Sequence, residues 1–117
     1  MVLVLENDVE TLEIMIIVLK EAGFATRITT ADRIILDVLT LNPKLLILDL
    51  RLESFTTGAV ICQTIRSHAH SALLPIILVS ASNKLEAHAI VCNADAYILK
   101  PFDNADFCNT VKDVLSI

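Results

Sequence analysis

Residues 45–49 read Leu45-Leu46-Ile47-Leu48-Asp49, a wholly apolar run that ends on an acid. Pro43 precedes it and a loop follows, so the run is too short for a helix and reads as a strand. A strand without a polar position is one buried on both faces, and such strands belong to parallel sheets with helices packed on either side. Two more runs have the same character. Met1 to Leu5 closes on Glu6-Asn7-Asp8, and Ile76 to Val79 is opened by Pro75 and closed by Ser80-Ala81.

The segments between these runs carry helical spacing. From Val9 to Ala22 the apolar positions Leu12, Ile16, Val18, Leu19 and Ala22 recur at mostly helical intervals, and Gly23 supplies a stop. Phe24 to Thr29, rich in β-branched residues, predicts a second strand. Ala31 to Leu41 predicts a helix on the stripe Ile34, Ile35, Val38 and Leu41, ending before Pro43. A loop over 50–57 leads to a helix near Gly58 to His70, and Asn83 to Cys92 is a further helix closed by Asn93, a residue tolerant of left-handed backbone. Tyr97-Ile98-Leu99 is a fifth strand. Asp103 caps a last helix to Leu115, with Phe107, Val111, Val114 and Leu115 as its apolar stripe. Strict βα alternation predicts one α/β domain over residues 1–117: a doubly wound, five-stranded parallel sheet with five helices, (βα)5, of flavodoxin-like type.

Composition agrees. Of 117 residues, 55% are apolar and 20% charged, which speaks for a large core and against disorder. The net charge of −5 and the lack of any basic run argue against nucleic acid or an anionic membrane as partner. The longest uncharged apolar stretch, Ala72 to Ala81, is too short to span a bilayer, and residues 1–5 lack the basic start and cleavage site of a signal peptide. A cytoplasmic location is the expectation. Cys62, Cys92 and Cys108 have no metal or redox spacing and read as reduced, core-packed thiols.

In open parallel sheets ligands bind beyond the carboxyl ends of the strands. Here those ends deliver Glu6-Asn7-Asp8, Asp49, Ser80 and Lys100 to one rim. These groups suit phosphoryl transfer. Asp49 is a carboxylate nucleophile able to form an acyl phosphate. A hard cation such as Mg²⁺ takes carboxylate, carbonyl and water oxygens and offsets the charge. Lys100 neutralises a phosphate oxygen, and Ser80 donates a hydrogen bond to another. Each residue alone has a plainer reading: Asp starts turns, Lys is a solvated charge, Ser is a turn residue. Their joint placement at strand ends decides for chemistry. His68, His70 and His88 show no ligand pattern among themselves and read as surface residues.

At these positions the sequence resembles the receiver domain of response regulators over essentially its whole length. The pieces that carry the resemblance are Val2-Leu3-Val4-Leu5-Glu6-Asn7-Asp8, Leu46-Ile47-Leu48-Asp49, Gly58, Pro75 to Ala81, Ala94-Asp95-Ala96-Tyr97 and Leu99-Lys100-Pro101-Phe102. The resemblance implies that Asp49 is the phosphoacceptor, that Glu6 and Asn7 hold the acidic-pocket positions, and that the main-chain carbonyl of Arg51 completes the protein ligands of Mg²⁺. It implies Ser80 and Tyr97 as a switch pair, a face of fourth helix, fifth strand and fifth helix that changes or dimerises, and a cis Lys100-Pro101 bond. It further implies a signalling domain, not an enzyme in its own right, with a sensor histidine kinase or phosphotransfer protein as partner. Tyr97 also has the plainer reading of a packing aromatic.

Three positions depart from the family pattern: Asn7 where Asp is usual, Glu53 where proline is usual, and Asn93 where glycine is usual. An amide oxygen still coordinates a hard cation, but without formal charge. Removing one charge about 4 Å from a divalent ion forfeits roughly 8 kcal/mol of gross Coulomb energy at an effective dielectric of 20. Most of this is returned through lower desolvation and less repulsion among Glu6, Asp8 and Asp49, so the expectation is weaker Mg²⁺ binding. A small loop shift would let Asp8 supply the missing charge. The alternative function is a degenerate receiver that binds partners without phosphorylation. A hydrolase of the aspartyl-phosphate kind is disfavoured by Arg51, which stands where such enzymes carry a second acid. A nucleotide-binding fold is disfavoured by the lack of a Gly-rich loop, the chain having only Gly23 and Gly58.

Overall fold

The computed structural model describes residues 1–51 and 57–117, so Glu53 and most of the loop that follows Asp49 lie outside the described residues. Among the described residues ten elements alternate: β1 Val2–Leu5, α1 Val9–Glu21, β2 Thr26–Ile28, α2 Ile34–Leu41, β3 Leu45–Asp49, α3 Gly58–Ser67, β4 Ile76–Ser80, α4 Leu85–Val91, β5 Ala96–Leu99 and α5 Asn104–Leu115. All strand pairs are parallel, in the order β2-β1-β3-β4-β5, which is the flavodoxin-like arrangement.

The three apolar runs are the three inner strands, buried at every position. Successive residues along them face opposite layers. Leu3, Leu5, Leu46, Leu48, Ile76 and Leu78 pack with α2, α3 and α4, through Ile34, Val38, Ile61, Ile65 and Leu85. Val2, Val4, Leu45, Ile47, Ile77 and Val79 pack on the other side with α1 and α5, through Met15, Leu19, Phe107 and Val111. The outer strands differ. β2 is largely exposed, and in β5 only Ile98 is buried, whereas the apolar run at Tyr97–Leu99 leads one to expect full burial. An edge strand has a neighbour on one side only, and its outward side chains meet solvent.

Helix ends follow local chemistry. Asp8 caps α1, its Oδ2 accepting from the Thr11 amide at 2.9 Å and the Thr11 hydroxyl at 2.6 Å. Gly23 ends that helix at φ +90°, and Asn93 follows α4 at φ 58°. Asp103 Oδ1 accepts from the amides of Ala105 and Asp106 at the start of α5. α3 ends at Ser67, short of the expected His70. Residues 68–74 form turns instead, held by Ser71, whose hydroxyl donates to Ile65 O at 2.8 Å, and by Arg66, which donates to the carbonyls of Ala72 and Leu74. α4 begins at Leu85, later than Asn83, because the Ser82 hydroxyl takes the Lys84 amide in a local turn at 3.1 Å.

Candidate functional site

The register of the sheet sets the site. Leu5 pairs with Leu48, so Glu6 emerges beside Asp49, and Ser80 pairs with Leu99, so Lys100 emerges beside Ser80. The chain leaves β1 for β2 on one side, while β3 lies on the other. That reversal opens the crevice in which these side chains converge.

Lys100 Nζ lies 2.6 Å from Glu6 Oε1 and 3.6 Å from Asp49 Oδ2. Both carboxylates are buried and the ammonium is mostly so. Asp49 is held from its backbone side as well: the Arg51 amide donates to Oδ1 at 3.1 Å and the Asn7 amide to Oδ2 at 3.3 Å. Glu6 Oε2 accepts from the Asp8 amide at 3.0 Å, and Oε1, buried, is the oxygen that faces the Lys100 ammonium. Burial, with Asp49 beside it, pushes the Glu6 carboxyl up to about 7 against the pull of Lys100. Ser80 is buried, and its oxygen accepts from the Ser82 amide at 3.1 Å. The Lys100-Pro101 bond is cis, as expected.

Thus Glu6, Asp49 and Lys100 come together, the amides of Asn7 and Arg51 join them as donors to Asp49, and Ser80 ends the adjacent strand, its carbonyl accepting from the Lys100 amide at 2.9 Å. Tyr97 stands apart on β5, 44% exposed, turned outward. Asp8 serves α1 in this structure. Its carboxylate caps the helix, and the Thr11 hydroxyl and amide lower its pKa from the ordinary value. Sequence reasoning missed why Gly58 matters. A Cβ there would stand 2.2 Å from the Asp49 carbonyl oxygen and 2.8 Å from Leu50 Cα, and the Gly58 amide donates to Leu50 O at 2.9 Å. The start of α3 is therefore pressed against the residue that carries the carboxylate, which only glycine permits.

The donor set fits a hard divalent cation. Glu6 and Asp49 offer two carboxylates against one ammonium, an excess of negative charge in a crevice, and every candidate ligand including Asn7 and the Arg51 carbonyl is an oxygen.

Comparison with known proteins places this geometry in context. The family model described as the response regulator receiver domain matches residues 2–112. The transcriptional regulatory protein GltR of Pseudomonas aeruginosa is 31% identical over 118 residues, covering 97% of this chain and 48% of GltR. The chain thus spans about half the length of that curated relative. The crystal structure of the receiver domain of NtrX from Brucella abortus superposes with a TM-score of 0.90 at 24% identity, covering 99% of this chain and 98% of that one. The chemotaxis protein CheY4 of Vibrio cholerae superposes with a TM-score of 0.86 at 16% identity, covering 97% and 96%. At those identities the two structures speak for the fold alone.

Proposed function

This chain belongs to the response regulator receiver domain family of two-component signalling, and from that premise we propose that it is a phosphoacceptor switch that takes a phosphoryl group on Asp49. Members of the family are signalling domains that bind Mg²⁺ at an acidic pocket and interact with sensor histidine kinases or phosphotransfer proteins. The observation that carries the reading is the convergence of Lys100 on both Glu6 and Asp49 at the ends of β1, β3 and β5.

An oxygen of the Asp49 carboxylate attacks the phosphorus of a phosphohistidine or acyl phosphate. The new O–P bond forms as the donor's N–P or O–P bond breaks, and the phosphoryl group ends on Asp49 as an acyl phosphate. The Asn7 and Arg51 amides orient the nucleophile. Lys100 offsets charge on a phosphoryl oxygen, and the Ser80 hydroxyl donates to another. Mg²⁺, when bound by Glu6, Asp49, the Asn7 amide oxygen and the Arg51 carbonyl, supplies charge neutralisation of the transferring group. Asn7 lowers its affinity. Ser80 and Tyr97 form the switch pair: Ser80 turns to the phosphoryl group and the exposed ring of Tyr97 moves inward. The apolar side chains exposed on α4 and β5, Ile90, Val91, Tyr97 and Leu99, support this face, with α5, as the partner-binding or dimerising surface. Residues 1–117 act as one such unit.

The test is incubation with a small acyl-phosphate donor, with and without Mg²⁺, read by intact mass beside Asp49→Asn. Phosphate added to the parent alone, and only with Mg²⁺, is expected. A second reading rests on Asn7: with one pocket acid missing, the domain would bind its partner without phosphorylation. No adduct at high Mg²⁺ in a folded protein would establish that reading instead.

A further inference from the structure

The C-terminal end of α4 meets α3 along a seam. On its outer side Arg66 Nε donates to Asn93 O at 3.1 Å. On its buried side Cys62 Sγ donates to the carbonyl oxygen of Cys92 at 3.4 Å, and Cys92 Sγ points back along its own helix to Ala89 O at 4.0 Å. Both thiols are free and buried. Burial, and next the Cys92 thiol beside it, push the Cys62 thiol far above its usual range. The third cysteine, Cys108, sits on α5 in the layer across the sheet. Two of the three thiols of this chain therefore share one dry contact between adjacent helices, with the Cys62 sulfur already against the backbone of its partner.

While α4 is docked, both thiols are shut away from a reagent in solution, because both are buried. The helix that leads into Cys92 is short. α4 has seven residues, its N-cap Lys84 makes no side-chain capping bond, and Ile90 and Val91 lie exposed on it. So short a helix has little stability of its own, and such elements open at lower free energy than the core.

We propose that Cys62 and Cys92 are a redox pair that a low-molecular-weight disulfide oxidises while α4 is lifted, forming a bond that locks α4 onto α3. Cys92, on the moving helix, gives up its proton, and its thiolate attacks the small disulfide. One small thiolate leaves and takes up a proton. Cys62, deprotonated in turn, attacks the Cys92 sulfur of the mixed disulfide, and the second small thiolate leaves and is protonated. Two protein thiols are oxidised by two electrons, and the small disulfide is reduced to two thiols. The signalling consequence rests on the reading of α4 as part of the switching face: oxidation would hold that helix in its present place against phosphorylation.

The bond itself is tested independently of phosphorylation. Cys108→Ser protein, folded and dilute, is treated with excess glutathione disulfide, alkylated and weighed intact. The expected product has lost two hydrogens, takes no alkyl group and is restored by dithiothreitol. Its core amides, which exchange through global unfolding, slow by at least about thirtyfold, the low end of what a disulfide contributes. Cys62→Ser in the same background should instead keep a glutathione adduct on Cys92. Thiols that stay free in the folded protein, while the same treatment joins them after unfolding in guanidinium, would overturn the proposal. So would a bond found only between two chains. A failed phosphorylation assay leaves the mass result untouched, so the two readings fail separately.

Discussion

Gly58→Ala should be among the most damaging methyl additions in this protein, at a position with no charge and no side chain. The new Cβ would stand 2.2 Å from the Asp49 carbonyl oxygen, 2.8 Å from Leu50 Cα and 3.0 Å from the Asp49 carbonyl carbon. All three neighbours are backbone of a buried inner strand and the residue after it, so none can rotate away, and the start of α3 must retreat by about 1 Å. Overpacking of this kind costs roughly 1–3 kcal/mol. The retreat also stretches the hydrogen bond from the Gly58 amide to Leu50 O, now 2.9 Å, worth about 1 kcal/mol net. The gain in helix propensity is small at a first helical position. A net loss of about 2–4 kcal/mol, out of the usual 5–15 for a domain, corresponds to a fall in melting temperature of about 8–15 °C. Because the push lands on the residue that bears the nucleophile, phosphorylation of the surviving folded protein should slow by roughly tenfold to a hundredfold. Urea denaturation and intact-mass kinetics read the two effects. Gly23→Ala is the control: it meets nothing within 4 Å but sits at φ +90°, so it should lose about 1 kcal/mol from backbone strain alone and phosphorylate at the parent rate. A Gly58→Ala protein within about 0.5 kcal/mol of the parent would refute the close approach of α3 to β3.

Asn7→Asp should tighten Mg²⁺ binding by at least about tenfold in a calorimetric titration, while Asp8→Ala should leave the affinity nearly unchanged and lower thermal stability, because Asp8 serves the helix cap. A tenfold or greater loss of affinity from Asp8→Ala would show that acid reaching the pocket. In metal-free buffer the Glu6 carboxyl, raised from 4.5 to about 7 by folding, makes the native state hold an extra proton between those values. Its contribution is full below about pH 4.5 and is lost as pH rises through 7, a decline of at most about 3 kcal/mol. Glu6→Gln should flatten that decline in urea titrations at successive pH values, and a variant that keeps it would point to another group. With a bulky thiol reagent under native conditions, Cys108, half-buried on α5, should react well before the buried Cys62 and Cys92. Peptide mapping after a short exposure checks the order, and early labelling of Cys62 would contradict the described packing.

What could be read from the chain alone follows from where burial is two-sided. β1, β3 and β4 are buried on both faces, so their runs are apolar throughout and stop abruptly at Glu6, Asp49 and Ser80. The same abruptness marks the site, because the carboxyl ends of the inner strands are where a ligand meets the sheet. α1 was harder. Ile14, Met15, Ile16, Ile17, Val18 and Leu19 are consecutive, so periodicity does not choose a face, and Met15, fully buried, was not among the expected core positions. The exposed side of β5 was also illegible, since apolar residues on an edge strand carry the same letters as those in the middle. Gly58 could be marked as a family feature but not explained, because its reason is a backbone approach from β3. Cys62 and Cys92 meet only through the packing of α3 beside α4. The cap that Asp8 makes was legible in its place just before the helix, with Thr11 three residues on.

The central claim is that Asp49 itself carries the phosphoryl group, and chemical trapping tests it at the residue. After treatment with acyl phosphate and Mg²⁺, borohydride reduces an aspartyl phosphate to the side-chain alcohol, homoserine, and leaves ordinary carboxylates intact. The account predicts homoserine at position 49, in proportion to the phosphate taken up and absent without Mg²⁺. Phosphate uptake with Asp49 unreduced, and the label instead on His68, His70 or His88, would contradict it.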